Sequence, residues 1–247
     1  MLPRAKKSYG QNFLVDETVV QKILAAAEIK PGEAVLEVGP GTGVLTRALV
    51  DAGARVVAVE ADRDLIAGLK KAFGETITLI EGDALALRAP LPFENRAYKL
   101  VANIPYNITS QLLEHFFTTS PRPSRMVLML QKEVADRLTA APGDMSLLSV
   151  VCQLYARVER MAVVKAGAFR PMPKVDSAIV RFDLYPNVHP EAVIALAKRG
   201  FAARRKQLKS NLGAAVVPTL ERMDLPKTAR AQELSAKQWI ELSLGLS

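Results

Sequence analysis

A single cysteine, Cys152, stands among 247 residues, so neither an internal disulfide nor a multi-thiolate metal site can be built. Nowhere do the roughly twenty consecutive apolar residues of a membrane span occur. The basic start Met1-Leu2-Pro3-Arg4-Ala5-Lys6-Lys7 is followed by no apolar core and no small-residue cleavage site, so a secretory leader is not expected. Internal repeats and low-complexity tracts are missing as well. With 49% hydrophobic and 23% charged residues, the composition is neither disordered nor collagen-like. These absences lead to the expectation of a soluble, cytoplasmic protein of a reducing compartment, with no metal and no membrane partner.

What is present is a positive charge, unevenly spread. The net charge is +8; residues 189–247 hold ten basic and five acidic side chains, against 23 and 20 in the remainder. A basic segment attached to a nearly neutral body suggests a polyanion such as nucleic acid, although solvated lysines alone would give the same count.

Apolar periodicity supplies the organisation. Asp16 can cap a helix with Val20, Ile23, Leu24 and Ala27 on one face, ended by Pro31-Gly32. Strands at 34–38, 55–60 and 77–80 then alternate with helices at 44–51 and 62–73, followed by strand 100–103, helix 109–117 and strand 125–131. Such alternation predicts an α/β fold with a mostly parallel, doubly wound sheet covered by helices. Residues 149–164 and 178–185, rich in Val, Ile and Tyr, read as later strands, and 189–212 and 232–244 as helices. A boundary is expected near Pro186, giving a larger domain over 1–186 and a small all-α domain over 187–247.

The first strand runs into Glu37-Val38-Gly39-Pro40-Gly41-Thr42-Gly43. Glycines at a strand-to-helix turn allow a tight bend and a close approach by a ligand. A dinucleotide fingerprint would read G-x-G-x-x-G; here the spacing is G-x-G-x-G, and Val44 takes the third glycine's place. Glu60 ends the second strand, where it can accept hydrogen bonds from ribose hydroxyls, and Asp83, after the third, can receive an adenine amino group. Each feature alone has a bland explanation: turn chemistry, a solvated acid, or for Glu37 mere orientation of the loop. Their joint order points to a nucleoside cofactor, and without a pyrophosphate fingerprint S-adenosylmethionine is favoured over NAD.

After the fourth strand comes Asn103-Ile104-Pro105-Tyr106. That arrangement suits methylation of an exocyclic amine, whose lone pair is delocalised into its ring. The Asn103 side-chain oxygen and the Ile104 carbonyl can accept its N–H groups, Pro105 biases Ile104 to an extended backbone, and Tyr106 offers a face for the base.

At these residues the chain resembles the KsgA-type ribosomal RNA adenine dimethyltransferases, relatives of the Erm large-subunit methylases and of mitochondrial transcription-factor B proteins. The likeness covers Gln11-Asn12-Phe13-Leu14, the 37–46 loop, Glu60, Asp83, 103–106, Leu130-Gln131-Lys132-Glu133-Val134, Phe169 through Ser177, Phe201 through Lys206, and Asn211-Leu212. It implies a Rossmann-like methyltransferase fold closed by an antiparallel strand near 178–185. Asn12, Leu14, Gly39, Gly41, Glu60, Asp83 and Asn103 are then expected to bind S-adenosylmethionine. Asn103, Ile104, Pro105 and Tyr106 would form the catalytic motif, with Phe169 stacking on the target base opposite Tyr106. The implied partner is ribosomal RNA in an assembling small subunit, and a monomer is assumed. One departure is Met145-Ser146 where the family commonly has Tyr-Gly.

If 189–212 were one helix, Phe201, Leu208 and Leu212 would cluster within about 40°, beside a basic arc of about 120°. That arc, with the neighbouring Arg204, makes Arg199, Arg204, Arg205, Lys206 and Lys209 the expected phosphate contacts. The competing functions are an Erm-like large-subunit enzyme and a non-catalytic RNA-binding assembly or transcription factor on the same fold.

Overall fold

The central strands are buried on both faces, and their sequences show it: Ala34–Val38 (AVLEV) has no exposed residue, and Arg55–Glu60 (RVVAVE) exposes only its first. The computed structural model describes all residues except 1, 2, 4, 7–9, 88–92, 94–96, 204 and 247, and the backbone alone at 107. In chain order the elements begin with β1 (Phe13–Leu14), α1 (Glu17–Ala27), β2 (Ala34–Val38), α2 (Val44–Asp51), β3 (Arg55–Glu60), α3 (Arg63–Phe73) and β4 (Thr78–Glu81). Then come β5 (Tyr98–Asn103), α4 (Thr109–Thr118), β6 (Arg125–Gln131), α5 (Lys132–Leu138), α6 (Leu147–Tyr155), β7 (Ala156–Val164), β8 (Phe169–Arg170) and β9 (Ser177–Leu184). The remainder is helical: α7 (Glu191–Gly200), α8 (Leu208–Leu212), α9 (Val217–Arg222) and α10 (Ala236–Leu244).

Seven strands form one sheet in the order β4-β3-β2-β5-β6-β9-β7. From β4 to β6 the pairing is parallel, and β9 runs antiparallel to β6, as expected for the closing strand. β2 pairs with β3 on one side and with β5 on the other, so the strand order reverses there, and a crevice opens beyond the carboxyl ends of these strands. A second, two-stranded ladder joins β1 to β8, with Leu14 opposite Phe169.

The chain divides into two units, 1–135 with 159–184, and 136–158 with 185–247. The second crossing lies beside the expected boundary at 186, but the helical unit also takes in 136–158. Within it, Ser149–Tyr155 is helix rather than strand. Ser146 accepts from the Ser149 N–H at 3.2 Å while the Ser149 hydroxyl accepts from the Ser146 N–H at 2.6 Å, a capping box that starts α6. Val150 and Leu154 then bury against the core around Trp239 and Leu242, which outweighs the strand preference of Val150-Val151. The departure from the family pattern is therefore accommodated: Ser146 caps α6, and Met145 is buried.

The expected continuous helix over 189–212 is also corrected. It stops at Gly200, where Trp239 packs so closely that an added Cβ would lie 2.3 Å from its ring. It resumes only at Leu208, whose N–H goes to the Ala229 carbonyl (2.8 Å). Asn211 Nδ2 ties the intervening turn by donating to the Gly200 and Ala203 carbonyls at 2.6 and 3.2 Å.

Candidate active site

At the end of β2 the backbone turns through three glycines with positive φ. Gly39 donates its N–H to the Val59 carbonyl at 2.9 Å, and a Cβ on it would meet no protein atom within 4 Å. Gly43 caps α2 at φ 80°, where a Cβ would sit 2.6 Å from the Phe73 ring. One glycine thus leaves space on the ligand side, and the other permits α3 to pack behind the loop.

Glu60 ends β3 with its carboxylate turned back to the loop. Its Oε2 accepts from the Gly41 N–H (3.0 Å) and its Oε1 from the Asp62 N–H (2.9 Å). Burial raises this carboxyl above the ordinary glutamate range, against the pull of those N–H groups. Beyond β4, Asp83 Oδ1 accepts from the Leu85 N–H at 2.9 Å and caps a short 3-10 turn.

Asn103 ends β5. Its Nδ2 donates to the Asn12 carbonyl at 3.3 Å, which fixes the amide with Oδ1 as the remaining acceptor. Pro105 is extended (φ −58°, ψ 134°), and Tyr106 follows with its hydroxyl 2.7 Å from the buried Ser177 hydroxyl. Glu37, in the middle of β2, is 1% exposed, and its Oε2 has no hydrogen-bond partner. Burial pushes its carboxyl up to about 8; Thr46 opposes the rise, although its Oγ1 also lies outside hydrogen-bond geometry, and Glu60 adds to it.

A cleft of ≈ 530 Å³ gathers these groups. Asn12, Leu14, Gly39, Gly41, Glu60, Asp83 and Asn103 line it, as do Ile104, Pro105 and Tyr106. Phe169 does not. It is 0% exposed in the apolar core, on the strand β8 that pairs with β1, and so does not line the cleft in this structure. Arg199, Arg205, Lys206 and Lys209 are exposed in the helical unit, on the end of α7, the turn and the start of α8 rather than on one helix face. Arg204 lies outside the described residues.

Sequence reasoning singled out Glu37 only as a loop orienter, quoted Gln11 and Ser177 within motifs without a role of their own, and gave none to Lys6 or, beyond the start of a helix, to Asp62. Asp62 is nearly buried and accepts from Lys6 Nζ (2.5 Å) and Gln11 Nε2 (2.7 Å). The local signal was its helix-capping position; its partners on the N-terminal arm lie more than fifty residues away. Among the described residues no helix is long and apolar enough to cross a membrane, and no group of three or more His, Cys, Asp or Glu is placed to hold a metal.

A nucleoside-sized cleft at the switch point of a parallel sheet, closed by antiparallel β9, defines a Rossmann-like domain of the methyltransferase class. Residues 3–246 match the family described as ribosomal RNA adenine dimethylase. The ribosomal RNA small subunit methyltransferase A of Thermosynechococcus vestitus is 45% identical over 258 residues, spanning 97% of this chain and 96% of that protein. Its namesake from Synechocystis sp. is 43% identical, spanning 97% and 95%. Among solved structures, a dimethyladenosine transferase from Plasmodium falciparum gives a TM-score of 0.82 at 27% identity, over 93% of this chain and 95% of its own. The 23S rRNA methyltransferase ErmE gives 0.81 at 28% identity, over 95% and 99%. The chain belongs to the ribosomal RNA adenine dimethylase family.

Proposed function

We propose that the protein transfers methyl groups from S-adenosylmethionine to N6 of adenosines in small-subunit ribosomal RNA, giving N6,N6-dimethyladenosine during ribosome assembly. The observation that carries this reading is Asn103 at the cleft, its amide nitrogen engaged by the Asn12 carbonyl and its oxygen left to accept.

The residues present fit the cofactor. Glu60 and Asp83 hold carboxylate oxygens at the ends of neighbouring strands, for ribose hydroxyls and for an adenine amino group. The open space beside Gly39 is where a ligand would press against the backbone. Asn12 and Leu14 border the site from the N-terminal arm. When bound, S-adenosylmethionine supplies an electrophilic methyl group on a sulfonium that is its own leaving group.

The work left to the chain is positional. Asn103 Oδ1 and the Ile104 carbonyl accept the two N–H groups of adenine N6, which favours a pyramidal nitrogen with its lone pair free to attack. Pro105 offers no N–H to compete. Tyr106, anchored through Ser177, provides a stacking face worth about 1–3 kcal/mol. No base is needed before transfer, since the surplus proton leaves from the cationic product. The target base must first be unstacked from the RNA.

In this reading the helical unit binds RNA phosphate through Arg199, Arg204, Arg205, Lys206 and Lys209. The enzyme works as a monomer in the cytoplasm, where its ribosomal substrate is assembled. Support for the small subunit comes from the 45% and 43% identical relatives; the fold itself is as close to ErmE as to a dimethyladenosine transferase. The test is transfer from methyl-labelled S-adenosylmethionine to unmethylated small and large subunits in parallel, with nucleoside analysis. Dimethyladenosine in the small subunit alone is expected. Label only in the large subunit moves the protein to the Erm branch, and no label with cofactor binding intact overturns the catalytic reading.

A further inference from the structure

We propose that Asp62 is a positioning residue: with Lys6 and Gln11 it clasps the N-terminal arm so that the Asn12 carbonyl holds the Asn103 amide in its working orientation. The inference deepens the methyl-transfer role of Asn103 proposed above and rests on it.

Asp62 begins α3, where its Oδ1 caps the Asp64 N–H at 3.1 Å. Capping alone does not explain it, because Ser, Thr or Asn would cap as well without a charge. The side chain is only 2% exposed, and a carboxylate is costly to bury unless it is paired. Both of its further partners come from the arm. Lys6 Nζ reaches Oδ1 at 2.5 Å and also Asp64 at 2.6 Å, while Gln11 Nε2 donates to Oδ2 at 2.7 Å. Despite burial, these bonds hold the Asp62 carboxyl below its ordinary range. The two arm residues brace one another, since the Lys6 N–H donates to Gln11 Oε1 at 2.7 Å.

The next residue after Gln11 is Asn12, whose carbonyl accepts from Asn103 Nδ2. One step further, Phe13 and Leu14 enter the ladder with β8, and the Val15 N–H goes to the Ala168 carbonyl at 2.9 Å. The Asn12 carbonyl is therefore fixed from both sides: by the ladder after it and by the clasp before it. On the other side of Asp62, its own N–H donates to Glu60 Oε1, so one residue ties the arm to the acid expected to hold the ribose.

The test uses the full-length protein with Gln11→Ala, which leaves the α3 cap untouched, and Asp62→Asn, which retains capping and loses the charge. Two readouts are taken: hydrogen–deuterium exchange of the 13–15 amides without cofactor, and steady-state methyl transfer. Each variant should exchange these amides about tenfold faster than wild type. Each should lower kcat about tenfold, as expected for a misplaced reacting group, with the KM for RNA little changed. The double variant should be no slower than the slower single one. Unchanged exchange, losses that multiply in the double variant, or an effect confined to KM would overturn the proposal. Faster exchange in the variants of a protein that methylates no adenosine would keep the clasp and overturn only the reading it rests on.

Discussion

Glu37→Gln preserves the shape of a side chain at the heart of β2 and removes its ionisation. The carboxyl titrates at 4.5 when unperturbed and at about 8 in the folded protein, because burial disfavours its charged form. The folded value is the higher one, so between these two pH values the folded state binds the extra proton. Stability contributed by this group is thus fully present below pH 4.5 and is lost as pH rises towards 8, at about 1.4 kcal/mol per unit. Glutamine pays no such penalty. Relative to wild type, the variant should gain about 3 kcal/mol between pH 4.5 and pH 7. Denaturant unfolding of both proteins from pH 5 to 8, at fixed ionic strength, measures the difference and cancels groups that do not sense Glu37. A uniform offset would report how well the new amide finds a partner such as Thr46; the slope reports ionisation. Parallel stability curves would refute the reasoning, because they would mean that the folded protein holds an ordinary carboxylate at this position.

Three further outcomes follow from the geometry. Asn103→Ala should reduce methyl transfer by at least about 10²-fold while calorimetry still detects part of the cofactor affinity, since the acceptor for the reacting amine is gone but Glu60 and Asp83 remain. Gly43→Ala should cost about 2–4 kcal/mol in denaturant unfolding, from the left-handed backbone together with the contact on Phe73. Arg205→Ala with Lys209→Ala should weaken RNA binding at all sequences and flatten the log K against log salt slope by up to about 2, with cofactor affinity unchanged.

The parallel sheet was readable because strands buried on both faces must be apolar runs, and AVLEV, RVVAVE and RMVLMLQ are such runs. The helical unit was harder for two physical reasons. In α6 the β-branched pair Val150-Val151 carries a strand preference that burial of Val150 in the core around Trp239 overrides, and the available counter-signal was the Ser146/Ser149 capping pair. Across 200–208 the apolar residues Phe201 and Leu208, with Leu212 beyond, stay in helical phase. The chain nevertheless leaves the helix, because Leu208 finds its backbone partner at Ala229 and Trp239 fills the space beside Gly200.

The site divides in a similar way. Gly39, Glu60, Asp83 and Asn103 each sit at the end of a strand or just beyond it, so their chemistry and their position are announced by the same few residues. Phe169 shows the limit of that rule: its ring is buried in the core and does not line the cleft, and no feature of its motif specifies Leu14 as its strand partner. The groups that orient the cleft residues are of this second kind. Asn103 is oriented by a carbonyl 91 residues earlier, Tyr106 by a hydroxyl 71 residues later, and the arm by Asp62, 51 residues beyond Gln11. A hydrogen bond across such a separation leaves no local pattern, because the requirement falls on where two elements meet and not on which residues are neighbours in the chain. The cleft-lining residues are accordingly read from motifs, whereas their distant hydrogen-bond partners emerge only once the fold has brought the arm and the carboxyl ends of β3 and β5 together at the cleft.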